Sequence, residues 1–401
     1  MLFMPNLSDR GKLMPSSPIR KLVPLADRAK EMGRHVYHLN IGQPDIHTPD
    51  TYWTAIKNHG RKVLEYGPSA GLTSYRKKLI EYYKRCDISL ELDDIIVTTG
   101  GSEGIIFAIM AITDPGDEII VPEPFYTNYN GFAIESAARI VTITSKIEDN
   151  FKLPPLDSIR EKITDRTRAI LICNPNNPTG YVYSKEELEV LRKIVLEYNL
   201  YLLTDEVYRE FCYDGLKHFS SMNLEGIEDR TILLDSISKR YSACGARIGC
   251  IISKNHEITN AALKFGMARL CPPTLEQLGA EAGIDTPNEY FKKVRLEFTE
   301  RRNVMVTALQ KMPGVVSPVP KGAFYLIAKL PVDDAEKFAQ WLLSDFNING
   351  ETTMIAPANG FYATPGLGQK EVRIAYVLST GDIKKAMHIL AEGLRAYPGK
   401  I

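Results

Sequence analysis

The chain has 401 residues, 44% hydrophobic and 24% charged, which is ample for a large core and more than one domain. Its 49 Lys and Arg balance its 49 Asp and Glu, so no charge excess marks it for nucleic acid or an acidic membrane surface. The six cysteines form no CxxC pair, no run approaches the roughly 18 apolar residues of a membrane span, and residues 1–20 lack the apolar core of a signal peptide. The expectation is a cytoplasmic protein with reduced cysteines and no metal.

Residues 1–17 read as an extended arm. Pro18 to Met32 reads as a short helix, apolar at Ile19, Leu22, Val23 and Leu25, with Pro24 inside it as a conflicting signal. His38 to Asp45 reads as a strand ending in a Gly-x-Pro turn, where Gly42 lets a ligand approach the main chain. A Gly/Pro loop, Leu64 to Arg76, opens a helix to about Lys84, and Tyr66 within it suits packing. Ile95 to Thr98 is a strand that runs into Gly100, Gly101, Ser102 and Glu103, with a helix from Ser102 to Thr113. Free N–H groups at such a helix start bind phosphate, and glycines let the anion come close. Neither the Walker lysine spacing nor GxGxxG is present.

Glu118 to Val121 is a short buried strand followed by Pro122 to Tyr129, where Tyr126 could stack on a flat heterocycle or simply pack. Ile140 to Thr144 is a further strand. Arg168 to Cys173 is a strand closed by Asn174-Pro-Asn-Asn177-Pro-Thr-Gly180, whose prolines fix a backbone from which an Asn amide can be aimed. Ser184 to Glu187 is a capping box for a helix carrying Leu188, Leu191 and Val195 on one face. Tyr201 to Tyr208 places Asp205 at a strand end, suited to a cationic ring nitrogen or to a turn.

Thr231 to Ser236 is the next strand, and Ser236-Ile-Ser-Lys239 follows it, with Arg247 eight residues further on and then a strand from Ile248 to Ser253. A lysine amine whose pKa is lowered forms Schiff bases with carbonyls, and an arginine fork suits a phosphate. That pair is what pyridoxal phosphate requires; a surface lysine in a Ser-rich loop is the plain alternative. Candidate ligand groups thus fall just past strand ends at Gly101, Tyr126, Asn177, Asp205, Ser236 and Lys239. Alternation from residue 95 to 253 predicts a mostly parallel sheet flanked by helices. Pro287 to Met312 reads as a long helix, with Pro287 at its first position. A smaller α+β domain follows, with strands at Gly322–Ala328 and Glu371–Val377 and helices at Asp334–Asp345 and Gly381–Tyr397. The expected division is an arm and part of the small domain at 1–45, a large domain at 46–286, and a linking helix with the small domain at 287–401.

Asn174-Pro-Asn-Asn-Pro-Thr-Gly180, Thr204-Asp205-Glu-Val-Tyr208, Ser236-x-Ser-Lys239 with Arg247-x-Gly249, and Val372-Arg373-Ile-Ala occur in that order. Together they resemble the class I/II pyridoxal-phosphate-dependent aminotransferases, of fold type I. The resemblance implies pyridoxal 5'-phosphate held by Lys239 as a Schiff base and by Asp205 at the ring nitrogen. It implies Tyr208 and Asn177 at the ring oxygen and Tyr126 on the ring face. The phosphate would be met by Gly101, Ser102 and Glu103 backbone groups, Ser236 and Arg247. Tyr66 would reach the phosphate of a neighbouring subunit, which implies a homodimer with shared sites. Arg373 would clamp the substrate carboxylate with help from the Gly42 amide, and Lys239, Asp205 and Tyr208 would carry catalysis. The implied reaction moves an amino group between an amino acid and a 2-oxo acid by a ping-pong route through pyridoxamine phosphate. Aspartate with 2-oxoglutarate ranks ahead of alanine and aromatic amino acids. Arg20, Lys21 and Arg269 are candidates for a distal carboxylate. A C–S β-lyase and a non-catalytic binding protein are the alternatives, although about 40 residues before the matching region is short for an independent DNA-binding module.

Overall fold

The apolar runs from residue 95 onward assemble into one twisted seven-stranded sheet. The structure is a computed structural model describing residues 5–401. In chain order the strands are β1 (His35–His38), β2 (Ile95–Thr98), β3 (Glu118–Glu123), β4 (Arg139–Thr144), β5 (Thr167–Cys173), β6 (Tyr201–Asp205), β7 (Thr231–Ser236), β8 (Gly249–Ile252), β9 (Tyr325–Lys329), β10 (Glu351–Met354), β11 (Ala356–Pro357) and β12 (Glu371–Ala375). The large sheet has the order β2-β8-β7-β6-β5-β3-β4. Its members pair in parallel except for β8, which runs antiparallel to β2 and β7. β3 and β7 are buried at every position, as strands covered on both faces must be. β4, at the edge, is only partly buried.

The near-uniformly apolar helix Gly100–Ile112 packs on β7 and β8 and beneath the helix His256–Arg269. Helix Lys185–Glu197 opens with the expected capping box, Ser184 Oγ accepting from Glu187 N and Glu187 accepting in return from Ser184 N. β9, β11 and β12 form a separate antiparallel sheet. β1 pairs in parallel with β10, which ties the N-terminal segment to the C-terminal part of the chain. Leu22, Val36 and Leu39 share a core there with Phe338, Leu342 and Ile383.

Several boundaries differ from expectation. Only Val23–Glu31 is helical within 18–32, because Pro24 sits in the first turn, where its missing N–H costs nothing; residues 17–22 form turns instead. The arm contains a short helix, Asp9–Leu13, capped by Ser8. The strand expected at 38–45 is β1, ending at His38. Gly100 and Gly101 are inside their helix, not before it. Pro287 caps helix Asn288–Gln310 instead of occupying its first position. β9 starts at Tyr325, because Gly322 is wedged between Pro175, Val182 and the Phe211 carbonyl. Helices Asp50–Lys57, His256–Arg269 and Thr274–Gly283, and strands β10 and β11, had no counterpart in the sequence reading.

Candidate active site

The carboxyl ends of β3, β5, β6 and β7 face one cleft of about 400 Å³, the place where open α/β sheets hold ligands. Gly101, Ser102, Tyr126, Asn177, Asp205, Tyr208, Ser236, Lys239 and Arg247 all line it. Gly42, after β1, and Arg373, from β12, close the opposite side.

Asp205 is the last residue of β6 and is buried. Tyr129 Oη donates to its Oδ2 at 2.8 Å and Val207 N to its Oδ1 at 3.3 Å. Burial pushes its carboxyl up to about 6, against the lowering effect of those two hydrogen bonds, and the neighbouring Asp235 adds to the rise. A buried carboxylate in this position favours a cation placed against it.

Lys239 lies in the connection between the paired strands β7 and β8, on the single turn Ile237–Arg240. Ser236 caps that turn, accepting from Ser238 N at 3.1 Å and donating to the Ile248 carbonyl at 2.9 Å. Arg240 points the other way and is buried. It pairs with Asp235 and lies 4.1 Å over the Tyr82 ring, while Tyr83 Oη donates to Asp235 at 2.6 Å. This network fixes the turn from behind, so Lys239 projects into the cleft. Its Nζ donates to the Gly42 carbonyl at 2.9 Å and lies 3.5 Å from Cys244 Sγ.

The end of the cleft at Gly101, Ser236 and Arg247 is built by close backbone approach. Gly100 has φ of +76° and a Cβ there would lie 2.3 Å from Arg247 Nη2. Arg247 is itself left-handed, with φ of +54°. A Cβ on Gly249 would lie 2.6 Å from the Gly100 carbonyl carbon and 2.7 Å from Gly101 N. Both glycines of this region are therefore steric requirements, and they bring the helix start, Ser236 and Arg247 together.

Arg373 is 1% exposed. Its Nη1 donates to Asn177 Oδ1 at 3.1 Å, its Nη2 bonds the Asn40 carbonyl, and its Nε has no partner. The guanidinium lies 4.5 Å from the Tyr325 ring centroid and 4.9 Å from that of Phe361. No carboxylate pairs with it among the described residues. A buried cation with a spare donor and only neutral partners is a receptor for an anion. Asn177 Nδ2 also donates to Tyr208 Oη at 3.3 Å, and the Tyr208 and Tyr325 hydroxyls lie 3.0 Å apart.

Two predicted residues lie outside the cleft. The Glu103 side chain turns back on its own helix, accepting from Thr99 N at 2.7 Å and from Arg269 Nε at 3.1 Å. Tyr66 is 82% exposed and borders a different groove, with Cys271 and Pro272. Gly42 lines the cleft, but it is its carbonyl that has a partner there. Of the three candidate cations, Arg269 is engaged by Glu103 and Lys21 by Glu336, whereas Arg20 lines the cleft. The sequence reading missed Tyr129, Tyr325, Asn40 and Asp235. Tyr129 and Tyr325 stood in stretches that were read, and only the fold shows that they touch Asp205 and Arg373.

The family model described as aminotransferase class I and II matches residues 34–390. An aspartate aminotransferase from Pyrococcus horikoshii is 31% identical over 398 residues, covering 97% of each chain. The structure of aspartate aminotransferase from Thermus thermophilus with maleate superposes with a TM-score of 0.89 at 27% identity, over 98% of this chain and 100% of that one. An alanine aminotransferase from Pyrococcus furiosus gives 0.88 at 31% identity, over 96% and 99%.

Proposed function

The chain belongs to the aminotransferase class I and II family, and we propose that this aminotransferase uses pyridoxal 5'-phosphate to move an amino group between L-aspartate and 2-oxoglutarate. The observation that carries the reading is the buried, anion-free Arg373 set across the cleft from Lys239 and Asp205. The donor set fits the cofactor. Lys239 supplies the amine, Asp205 a buried carboxylate for a ring N–H, and Gly101, Ser102, Ser236 and Arg247 a cradle for phosphate. When bound, the cofactor supplies a cationic ring that withdraws electrons from the substrate Cα–H bond.

The protein's own contributions follow from the geometry. Arg373, held by the rings of Tyr325 and Phe361, grips the α-carboxylate through its fork and orients Cα. Lys239, once its amine is free, takes and returns the Cα proton; the Gly42 carbonyl holds that amine when it is idle. Asp205, held at about 6 by its burial, offers its carboxylate to a cation that faces it. Tyr208 and Asn177 offer hydrogen bonds to an oxygen in the cleft and, with Tyr325, restrict water there.

Arg20 is the distal-carboxylate residue in this reading, which favours a dicarboxylate substrate. The names of the Pyrococcus horikoshii and Thermus thermophilus relatives agree with that preference. Exposed Val63, Leu64 and Tyr66 suit an interface between two copies of the chain, with Tyr66 reaching the partner's site.

The test is to mix the cofactor-loaded protein with single amino acids, with no 2-oxo acid present, and follow its absorbance. Conversion of the cofactor to its amine form by aspartate and glutamate, and slowly by alanine, is expected. Conversion by alanine or aromatic residues alone overturns the substrate assignment. Steady ammonia release with the starting spectrum regained would show a lyase, and no change with any of them would show a binding protein.

A further inference from the structure

A second cavity, of about 390 Å³, lies between the helices Asn288–Gln310 and Thr380–Ala396 and shares no residue with the catalytic cleft. Helical spacing builds its walls. Val304, Ala308 and the C-cap residue Lys311 follow one another at intervals of four and three residues along one helix and its end. Lys384, His388, Ala391 and Arg395 do the same along the other. The stripes face each other, with Met312, Met387 and Leu394 at the floor and Lys400 at the rim.

The lining pairs an apolar floor with a cationic rim. Lys311, Lys384, Arg395 and Lys400 are basic residues, His388 adds ring nitrogens, and no acidic residue lines the cavity. Arg395 is engaged by Glu392; Lys311, Lys384 and Lys400 have no ion-pair partner among the described residues. The chain as a whole carries no net charge, so this surplus is local. Exposed lysines are ordinary, but unpaired cations gathered around a recessed apolar pit form an unusual combination. The charges raise the local concentration of anions, and the pit adds the burial that holds them.

We propose that this groove binds a small soluble organic anion with an apolar body, such as an aryl- or alkyl-carboxylate. Its carboxylate would sit among Lys311, Lys384 and Lys400 and its hydrocarbon against Ala308, Met312 and Met387. A membrane surface is the poorer match, because none of the apolar lining residues is among the strongly exposed hydrophobic side chains. The apolar atoms are recessed, reachable by a guest of limited size and not by a flat bilayer.

The experiment titrates the cofactor-loaded full chain with 1-anilinonaphthalene-8-sulfonate and follows its fluorescence, with 4-phenylbutyrate and 4-phenylbutylammonium as competitors. Saturable binding is expected, displaced by the carboxylate and not by the ammonium. Lys384→Glu combined with Lys311→Glu should weaken the probe at least tenfold, and Ala308→Trp, which fills the pit, should do the same without altering charge. Both variants should keep the parent transamination rate. Unchanged probe affinity in both, equal displacement by the two competitors, or no saturable binding would each overturn the assignment. Displacement only by anionic lipid vesicles would assign the groove to a membrane instead and refute it equally.

Discussion

Replacing Asp205 by Asn in the cofactor-free protein should stabilise it at neutral pH. The Asp205 carboxyl is held at about 6 against an ordinary value of 3.8, chiefly by burial. Below pH 4 the folded and unfolded states both hold the proton, and the carboxyl favours neither. As pH rises towards 6 the unfolded chain gives up its proton first, so folding loses stability through that window. Above 6 the full penalty applies. The rise from 3.8 to about 6 corresponds to about 3 kcal/mol. Asparagine has nearly the same shape. Its oxygen still accepts from Val207 N, and its amide can donate to the Tyr129 hydroxyl, which turns to accept. Urea unfolding of both proteins at matched concentration should therefore favour the variant by about 3 kcal/mol at pH 8 and by about half that at pH 5. Glu206, pushed up to about 7 by its own burial, titrates in both proteins and cancels from the difference. Loading the cofactor should reverse the order, because a ring N–H would supply the missing cation to aspartate only. Equal stability at pH 8, or a variant less stable at every pH, would refute the argument that Asp205 is ionised at a cost the cofactor offsets.

Lys239→Ala should abolish turnover and the visible absorbance of the cofactor's Schiff base; absorbance retained in the variant would move the amine elsewhere. Arg373→Lys should raise KM for every amino acid and lower kcat, since an ammonium cannot keep the Asn177 and Asn40 contacts while forking a carboxylate; steady-state kinetics unchanged from the parent would remove Arg373 from the clamp. Arg20→Gln should raise KM for aspartate roughly 10–100-fold, the loss of one charge-assisted hydrogen bond, and leave alanine unchanged; a common change for both donors would refute a distal-carboxylate role. Gly249→Ala forces a methyl against three backbone atoms, so it should cost about 1–3 kcal/mol of stability and weaken cofactor binding, which fluorescence titration with pyridoxal phosphate would read.

The elements that fix the site were legible because their signals are local. β5, β6 and β7 are short apolar runs, each ended by polar or turn residues, and the strand-end position alone separated Asp205, Ser236 and Lys239 from the many other polar residues. The resemblance added Arg373, which as a sequence is one more arginine on a strand. What could not be read was what depends on contacts across the chain. Tyr129 is one helix start away from Tyr126, yet it is the residue that touches Asp205. Tyr325, 283 positions from Gly42, shares a packing surface with it so close that a Cβ at Gly42 would lie 1.7 Å from the tyrosine hydroxyl. Helix His256–Arg269 has little amphipathic contrast, so no periodicity announced it. Glu103 was expected to act through its backbone alone, and the partner that occupies its side chain, Arg269, is 166 residues away.

The buried charges of the cleft make sense only as a set. Asp205 lies under hydroxyl and amide donors with no cation against its carboxylate, and Arg373 lies between two aromatic rings with no carboxylate against its fork. Each alone would be a defect, because a buried charge without a counter-charge costs several kcal/mol. They do not pair with each other: Arg373 is engaged by Asn177, which in turn donates to Tyr208. Behind them the buried charges do face counter-charges: Arg240 with Asp235, and Glu206 with Arg209. The fold therefore gives its supporting charges a counter-charge and leaves two without one in the cleft. A cationic ring beneath one and a carboxylate against the other would close both, which is how a single small molecule pair can be both substrate and structural complement to this site.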